Sequence, residues 1–310
     1  MAKHSKPTRY HRVHQLDFFS VLIVILTIIL ISLLVVIYFK NKSENNNLPT
    51  AATTTTATST PDKEEETATS SPESKEENRF EGLTMTNENV GVPVLYYHSV
   101  DPSEANEVII SPERFKEQLQ FIKDSGYTTL TMTELNDYIL NNTPIPEKSI
   151  VITFDDGYAD NYANAFPILK ELDMKATIFV ISNFTDNDGY YMTSQQLKEM
   201  SDYGIDIQSH TASHSHLNQL TYEEQLNELK TSKEKIESIT GKPVISIAYP
   251  FGDFDDNSIA ASKDAGYSLS FNTNRGLSDR DDNPLSLNRI YISSAYSIEQ
   301  FKEILASTEK

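Results

Sequence analysis

The sequence predicts an α/β fold in which a parallel sheet, wrapped by helices, closes into a barrel. From about residue 90 onward, strand-like and helix-like segments alternate, which is typical of such a sheet. A barrel is favoured over an open sheet because the chain shows no glycine-rich nucleotide-binding loop. Polar residues also follow several predicted strands directly, as active-site residues do in barrel enzymes.

The N-terminal region is predicted to be a membrane anchor. Residues 18–39 form a run of 22 residues without a charge, which at roughly 1.5 Å per residue spans about 30 Å of hydrocarbon. A cleaved signal peptide is the alternative, but its apolar run is typically only about 7 to 15 residues long. Because basic residues precede the run, we expect a single-pass protein with residues 1–17 in the cytoplasm and the rest outside, at the cell wall. These basic residues are Lys3, Lys6, Arg9 and Arg12.

A disordered stalk and a catalytic domain are expected after the anchor. Residues 40–89 are rich in Thr, Ser, Glu and Pro and contain too few large apolar side chains to form a folded core. The catalytic domain is therefore expected to cover residues 90–310. Residues 1–42 hold six Lys or Arg and one Asp, although the whole chain carries −19, so the remainder is strongly acidic. This charge argues against nucleic acid as a partner. The absence of cysteine excludes disulfides and thiolate metal ligands.

Two helices have clear boundaries in the sequence. Thr221 and Glu224 form a capping-box pattern ahead of residues 222–240. A second helix begins at Pro112, a residue favoured in the first turn, and ends near Gly126. The predicted strands around these helices cover residues 92–100, 148–154, 175–181, 205–208 and 243–249.

The segment VITFDDGYAD places Asp155 and Asp156 directly after the predicted strand 148–154. One interpretation is a simple turn, since Asp-Gly is a common way to leave a strand. The other is chemical, because two neighbouring carboxylates could divide the work between a metal ion and a water molecule.

A second polar cluster, QSHTASHSH, contains His210 and His214 four residues apart, after the predicted strand 205–208. If the segment coils through one helical turn, both imidazoles reach one ion; a polar, histidine-rich loop is the alternative. His216 is close enough to compete as a ligand. Two histidines and one carboxylate leave a zinc ion with an open position for water, which is typical of a catalytic site.

Two further strand ends carry candidate residues. His98 ends the run VPVLYYH, and Phe251-Gly252 lies just past the strand in IAYPFGDF. A strand-end histidine is usually structural when it occurs alone, but these residues coincide with the aspartates and histidines at the same end of the predicted sheet.

The motifs TFDDG at 153–157 and HTxSH at 210–214 resemble the first two motifs of the polysaccharide deacetylase family, also called carbohydrate esterase family 4 or the NodB homology domain. The resemblance covers roughly residues 91–300 and implies a deformed (β/α) barrel that removes acetyl groups from sugars with a divalent metal. It implies that Asp155 is the general base. The implied metal ligands, which would hold zinc or alternatively cobalt or another divalent ion, are Asp156, His210 and His214.

The chain departs from the family pattern in several places. The third motif is AYPFG, with Ala248 where the family has an arginine, although the backbone N–H of Phe251 could still complete the oxyanion hole. The chain has no tryptophan, so the usual Asp-Trp motif is missing, and the last histidine is His216, so the C-terminal histidine motif is missing too. Arg289 in LNRIYI either replaces the lost arginine or is a structural salt-bridging residue, and the second interpretation is favoured.

One subgroup shares the AYPFG motif and has its histidine ahead of TFDDG. The segment VLYYHSV before TFDDG, together with AYPFG, resembles a circularly permuted subgroup that acts on exported poly-N-acetylglucosamine, which makes His98 the candidate general acid. The expected function is hydrolysis of N-acetyl groups from N-acetylglucosamine-containing polysaccharide, either surface poly-N-acetylglucosamine or peptidoglycan, with release of acetate. An O-acetyl esterase and a catalytically inactive glycan-binding module are the alternatives.

Overall fold

The computed structural model describes residues 79–187 and 189–308. The predicted anchor at 18–39 and the cytoplasmic segment lie outside these residues, as does the stalk up to residue 78. Among the described residues, no helix combines the length and the apolar composition needed to cross a membrane.

The strands and helices alternate along the described chain, as the sequence predicts. Helices α1 to α7 are Pro112–Asp124, Met132–Asn141, Phe166–Leu172, Ser194–Tyr203, Tyr222–Thr240, Asp256–Asp264 and Ile298–Ala306. Strands β1 to β12 are Met85–Thr86, Val94–Tyr97, Ser99–Val100, Ile109–Ile110, Thr128–Thr129, Ile145–Pro146, Ser149–Phe154, Thr177–Val180, Asp206–Ser209, Ser246–Ala248, Leu269–Arg275 and Leu287–Tyr291.

Seven of the described strands close into a parallel barrel. Their order is β2-β12-β11-β10-β9-β8-β7, and β7 pairs back with β2, where Val94 lies opposite Val151. On its other side β2 pairs with β12, with Leu95 opposite Ile290. The predicted closed barrel is therefore confirmed, and the carboxyl ends of all seven strands share one rim.

The helix boundaries follow the predicted local signals. The Thr221 side chain accepts a hydrogen bond from the backbone N–H of Glu224, and Gly241, with φ of 71°, ends α5 in the left-handed conformation. Helix α1 begins at Pro112 as predicted and ends at Asp124, shortly before the glycine expected to stop it.

Strand β7 sends alternate side chains to two different parts of the core. Val151 packs with Leu287 of β12 in one apolar cluster, whereas Ile150 and Ile152 pack in a second cluster with residues of the surrounding helices. Because side chains alternate along a strand, the residue two positions after Thr153 continues on the same side as Val151. This alternation directs Asp155 toward the barrel interior.

The folded domain begins earlier than the sequence predicts. Strand β1 pairs antiparallel with β6, with Met85 opposite Pro146, and Arg79 forms an ion pair with Glu134 of α2. The sequence predicts residues 79–89 as part of the stalk because their composition is polar. The structure instead shows contacts of Arg79 and strand β1 with the folded domain.

We expect Gly252→Ala to destabilise the fold more than Gly126→Ala does. Both glycines have a positive φ, of +74° and +78°, so both variants incur the conformational penalty of about 1 kcal/mol. A Cβ atom at residue 252 would in addition lie 2.0 Å from Oγ1 of Thr273, whereas nothing lies within 4 Å at residue 126. Overpacking should raise the loss at Gly252 to about 2–4 kcal/mol. Urea unfolding at unchanged m-value measures the difference, and equal midpoints would contradict the close approach.

Candidate active site

The predicted site residues lie at the carboxyl rim of the barrel. Asp155 and Asp156 directly follow β7, His210 directly follows β9 and His98 directly follows β2. The rim therefore collects side chains from strands that are far apart in sequence.

Three of the predicted residues form one cluster. Asp156, His210 and His214 each offer a ligand atom, and these atoms all lie within 4.8 Å of one another. Oδ1 of Asp156 lies 3.4 Å from Nε2 of His210 and 3.2 Å from Nε2 of His214. We call these three residues the triad.

The backbone reaches this arrangement through left-handed residues. Asp156, Thr211 and His214 have φ angles of 75°, 66° and 61°, a left-handed conformation that residues other than glycine adopt rarely. The hydroxyl of Thr211 accepts a hydrogen bond from the N–H of His214 at 3.0 Å, which stabilises the loop. The helical turn considered for His210 and His214 is therefore wrong, because two left-handed residues bring the imidazoles together instead.

The hydrogen bonds of the triad fit a divalent cation. Nδ1 of His210 lies 2.7 Å from the carbonyl oxygen of Ala248, so this nitrogen donates and Nε2 keeps its lone pair. Oδ1 of Asp156 is buried and has no hydrogen-bond partner within the described part of the chain. An oxygen acceptor and imidazole lone pairs that converge in this way form the donor set that zinc prefers.

His216 does not belong to the triad. Its Nδ1 pairs with Oδ2 of Asp253 at 2.6 Å, and its ring stacks on that of Phe251 with centroids 3.9 Å apart. The choice between His214 and His216 as a ligand is thus decided in favour of His214.

Asp155 forms a buried ion pair with Arg289. The guanidinium donates to both carboxylate oxygens, at 2.7 and 2.8 Å, and its Nε donates to the carbonyl oxygen of Asn272 at 3.1 Å. The Tyr96 ring lies 4.3 Å from the guanidinium carbon. Arg289 is 0% exposed. Arg289 forms a salt bridge, as the favoured interpretation predicts. Its partner, however, is the predicted general base, so the geometry supports the other interpretation, in which Arg289 replaces the arginine missing from the third motif.

The pKa values of Asp155 and His98 are both lowered, but for different reasons. Burial alone would raise the pKa of Asp155, but the charge and hydrogen bonds of Arg289 outweigh it and hold this pKa below its ordinary value. Burial lowers the pKa of His98, and the nearby carboxylates offset this only in part. Asp155 is therefore ionised at neutral pH and ready to accept a proton.

Two further predicted residues border the triad. Nδ1 of His98 is buried without a hydrogen-bond partner among the described residues, and its backbone carbonyl accepts from Nδ2 of Asn161 at 2.8 Å. Phe251 has φ of 60° in the turn after β10, and its ring centroid lies 4.5 Å from that of His214. The oxyanion role of the Phe251 amide stays a prediction, as does the acid role of His98.

Comparison with known proteins identifies the family. The profile described as polysaccharide deacetylase matches residues 142–270. The Bacillus subtilis protein YxkH, named as a polysaccharide deacetylase, is 34% identical over 233 residues, which cover 75% of this chain and 82% of that protein. This chain belongs to the polysaccharide deacetylase family. The resemblance predicted from TFDDG and HTxSH is confirmed.

Relatives and solved structures of this family extend the match. The Streptococcus pyogenes deacetylase PplD, solved in complex with acetate, is 35% identical with a TM-score of 0.67, over 72% of this chain and all of that one (100%). IcaB from Ammonifex degensii is 25% identical with a TM-score of 0.63, over 72% and 98% of the two chains. The poly-beta-1,6-N-acetyl-D-glucosamine N-deacetylase of Staphylococcus epidermidis is 28% identical over 204 residues, 62% of this chain and 70% of that protein.

The structure explains how this polysaccharide deacetylase tolerates alanine in its third motif. Ala248 contributes its backbone carbonyl, which orients His210, and this contact needs no side chain. Arg289, from β12, supplies the guanidinium that the motif lacks.

Sequence reasoning missed residues that support the site. Tyr158 follows Asp156 by two residues, and burial together with the Asp156 carboxylate raises the pKa of its phenol. Asp160 accepts from the Ser99 hydroxyl at 2.6 Å and from the Val100 N–H at 3.0 Å, which fixes the backbone that follows His98. Their position directly after the DDG turn is the signal that could have revealed them.

We expect His210→Ala to lower the affinity of the full chain for Zn²⁺ by at least about 100-fold, because it removes one of three converging ligands. His216→Ala is the matched control, since this neighbouring histidine pairs with Asp253 outside the triad. Competition with a chromogenic chelator measures both affinities. Similar losses in the two variants would contradict the assignment of the triad.

Proposed function

We propose that this chain hydrolyses N-acetyl groups of N-acetylglucosamine-containing polysaccharide in a metal-dependent reaction that releases acetate. The observation that carries the proposal is the triad beside an ionised carboxylate, Asp155, which Arg289 holds in place. The names of the relatives agree with it, since one acts on poly-beta-1,6-N-acetyl-D-glucosamine and the deacetylase PplD was solved with acetate.

Asp156, His210 and His214 would hold the metal. A divalent ion bound there supplies polarisation of the acetyl carbonyl and lowers the pKa of a bound water to about 7. Oδ1 of Asp156 is buried and lacks a hydrogen bond within residues 79–187 and 189–308, and such an ion would satisfy it.

Asp155 is proposed as the general base. It accepts a proton from the attacking water, which requires an unprotonated carboxylate, and its lowered pKa meets this requirement at neutral pH. The bidentate contact with Arg289 leaves the carboxylate little freedom to rotate, so its orientation toward the rim is set before substrate binds.

His98 and Phe251 are proposed to complete the reaction. The water oxygen bonds to the acetyl carbon, and the Phe251 N–H stabilises the negative charge that develops on the carbonyl oxygen. His98 in its protonated form, which its lowered pKa makes the minor form at neutral pH, then donates a proton to the sugar nitrogen as the carbon–nitrogen bond breaks. Acetate leaves and a free amine stays on the glycan.

The natural location of the substrate rests on the N-terminal sequence. We propose that residues 18–39 anchor the chain in the membrane and that the stalk, ending before Arg79, places the catalytic domain outside the cell. Peptidoglycan and surface poly-N-acetylglucosamine are the glycans that such an anchored enzyme meets.

Acetate release by the full chain, purified in mild detergent with Zn²⁺, tests this function. The substrates are N-acetylglucosamine oligomers and intact peptidoglycan, beside O-acetylated xylan. Chelator-sensitive release from the N-acetyl substrates is expected, and release from the xylan alone would favour an O-acetyl esterase. No release by a chain with bound zinc would favour a glycan-binding module.

We expect Asp155→Asn to retain zinc while its kcat falls by about 10² to 10⁴, the usual contribution of a general base. The substitution removes the proton acceptor but leaves the triad intact. Zinc content and acetate release are measured on the same sample. Activity equal to that of the wild-type chain would exclude Asp155 as the base.

Arg289→Gln should move the acid limb of the kcat profile to higher pH. Arg289 opposes the effect of burial on Asp155, so removing its charge raises the pKa of this carboxyl. The base works only when deprotonated, and activity is therefore lost earlier as the pH falls. Arg289→Lys keeps the charge and should shift the limb less. An unmoved limb in a variant whose circular dichroism is native would contradict the coupling.

A further inference from the structure

A tyrosine-rich segment, residues 190–192, lies beside the residues that follow Asp156 of the triad. The N–H of Ala159 donates to the carbonyl of Tyr190 at 3.0 Å, and the N–H of Met192 donates to the carbonyl of Gly157 at 3.0 Å. An antiparallel bridge joins Tyr158 and Tyr191. These contacts attach the segment to the residues that immediately follow the proposed metal ligand Asp156.

The rings of this segment support one another. Tyr158 and Tyr191 stack with centroids 5.5 Å apart, and the Tyr190 ring meets each of them edge-on at 5.2 Å. Phe184 packs against Tyr191 at 4.9 Å. The rings of Tyr158 and Tyr191 therefore pack against the Tyr190 ring, which favours one orientation of the Tyr190 side chain.

Exposure distinguishes Tyr190 from other aromatic residues. Six large hydrophobic side chains are exposed in the part of the chain that the structure describes, and the two with the greatest exposure are Tyr190 at 63% and Phe251 at 53%. Both lie near the triad: Phe251 contacts His214, and Tyr190 contacts Tyr158, which follows Asp156 by two residues. Two exposed rings beside one polar cluster indicate a binding surface rather than scattered surface residues.

We propose that the Tyr190 ring is a platform for a sugar unit adjacent to the one that is deacetylated, in an N-acetylglucosamine polymer; this inference rests on the proposed function. A pyranose ring has an apolar face of C–H groups and polar groups at its edge. An exposed tyrosine ring matches both, with an apolar face and a hydroxyl at its edge. Tyr190 packs on Tyr158, which follows Asp156 by two residues, so the platform suits a neighbouring sugar unit rather than the reacting group itself.

The test compares the binding of long and short oligomers. Isothermal titration calorimetry on the full chain carrying Asp155→Asn, which prevents turnover, gives Kd for N-acetylglucosamine pentamers and dimers in both β-1,4 and β-1,6 linkage. Tyr190→Leu should weaken binding of the preferred pentamer about fivefold, as expected for loss of one ring contact, and should affect the dimer less. Tyr190→Phe keeps the ring and should restore pentamer affinity.

Tyr203→Leu is the matched control, because Tyr203 is an exposed tyrosine, at 40%, that packs against Phe166 away from the triad. It should leave both affinities unchanged. An unaltered pentamer affinity in Tyr190→Leu, an equal loss for dimer and pentamer, or a similar loss in Tyr203→Leu would each overturn the platform.

Acetate release separates this proposal from the proposed function. If pentamer binding depends on Tyr190 but the wild-type chain releases no acetate, the platform stands and the deacetylase function fails. If acetate is released while pentamer binding is independent of Tyr190, the platform alone is overturned.

Discussion

The bidentate pair between Arg289 and Asp155 is the interaction on which the site depends. A guanidinium buried to 0% exposure is destabilising by several kcal/mol unless its donors are paired. Here the carboxylate takes two donors and the Asn272 carbonyl takes Nε, while the Tyr96 ring lies beside the cation. Arg289 lies on β12 and Asp155 follows β7, with β2 between these strands, so the pair forms only when the barrel closes in this register.

Backbone conformation assigns different environments to two adjacent aspartates. Asp155 continues the alternation of β7 and points toward the barrel interior, where Arg289 meets it. Asp156 adopts φ of 75°, and its carboxylate instead faces His210 and His214. One dipeptide thus offers a carboxylate paired with arginine and another that faces two imidazoles, which suits a base and a metal ligand.

The guanidinium beside the base comes from a different strand than the family motif predicts. The third motif of this chain keeps its backbone function, since the Ala248 carbonyl fixes the proton of His210 on Nδ1. The guanidinium comes from a residue 134 positions away from Asp155 in the sequence. A sequence motif that lacks its arginine is therefore compatible with a site in which the carboxylate of Asp155 is paired with a guanidinium.

The sequence by itself determined the elements and the candidate ligands. The alternation of strands and helices, the capping box at Thr221 and the strand-end position of Asp155 are local patterns, and each is present in the structure. Only the tertiary structure decided what Arg289 contacts, how His210 and His214 converge, and which tyrosine is exposed beside the triad. It also showed that Arg79 and strand β1 contact the folded domain. The reason is physical: local patterns depend on neighbouring residues, whereas these contacts join side chains across the closed barrel and leave no periodic signal in the chain.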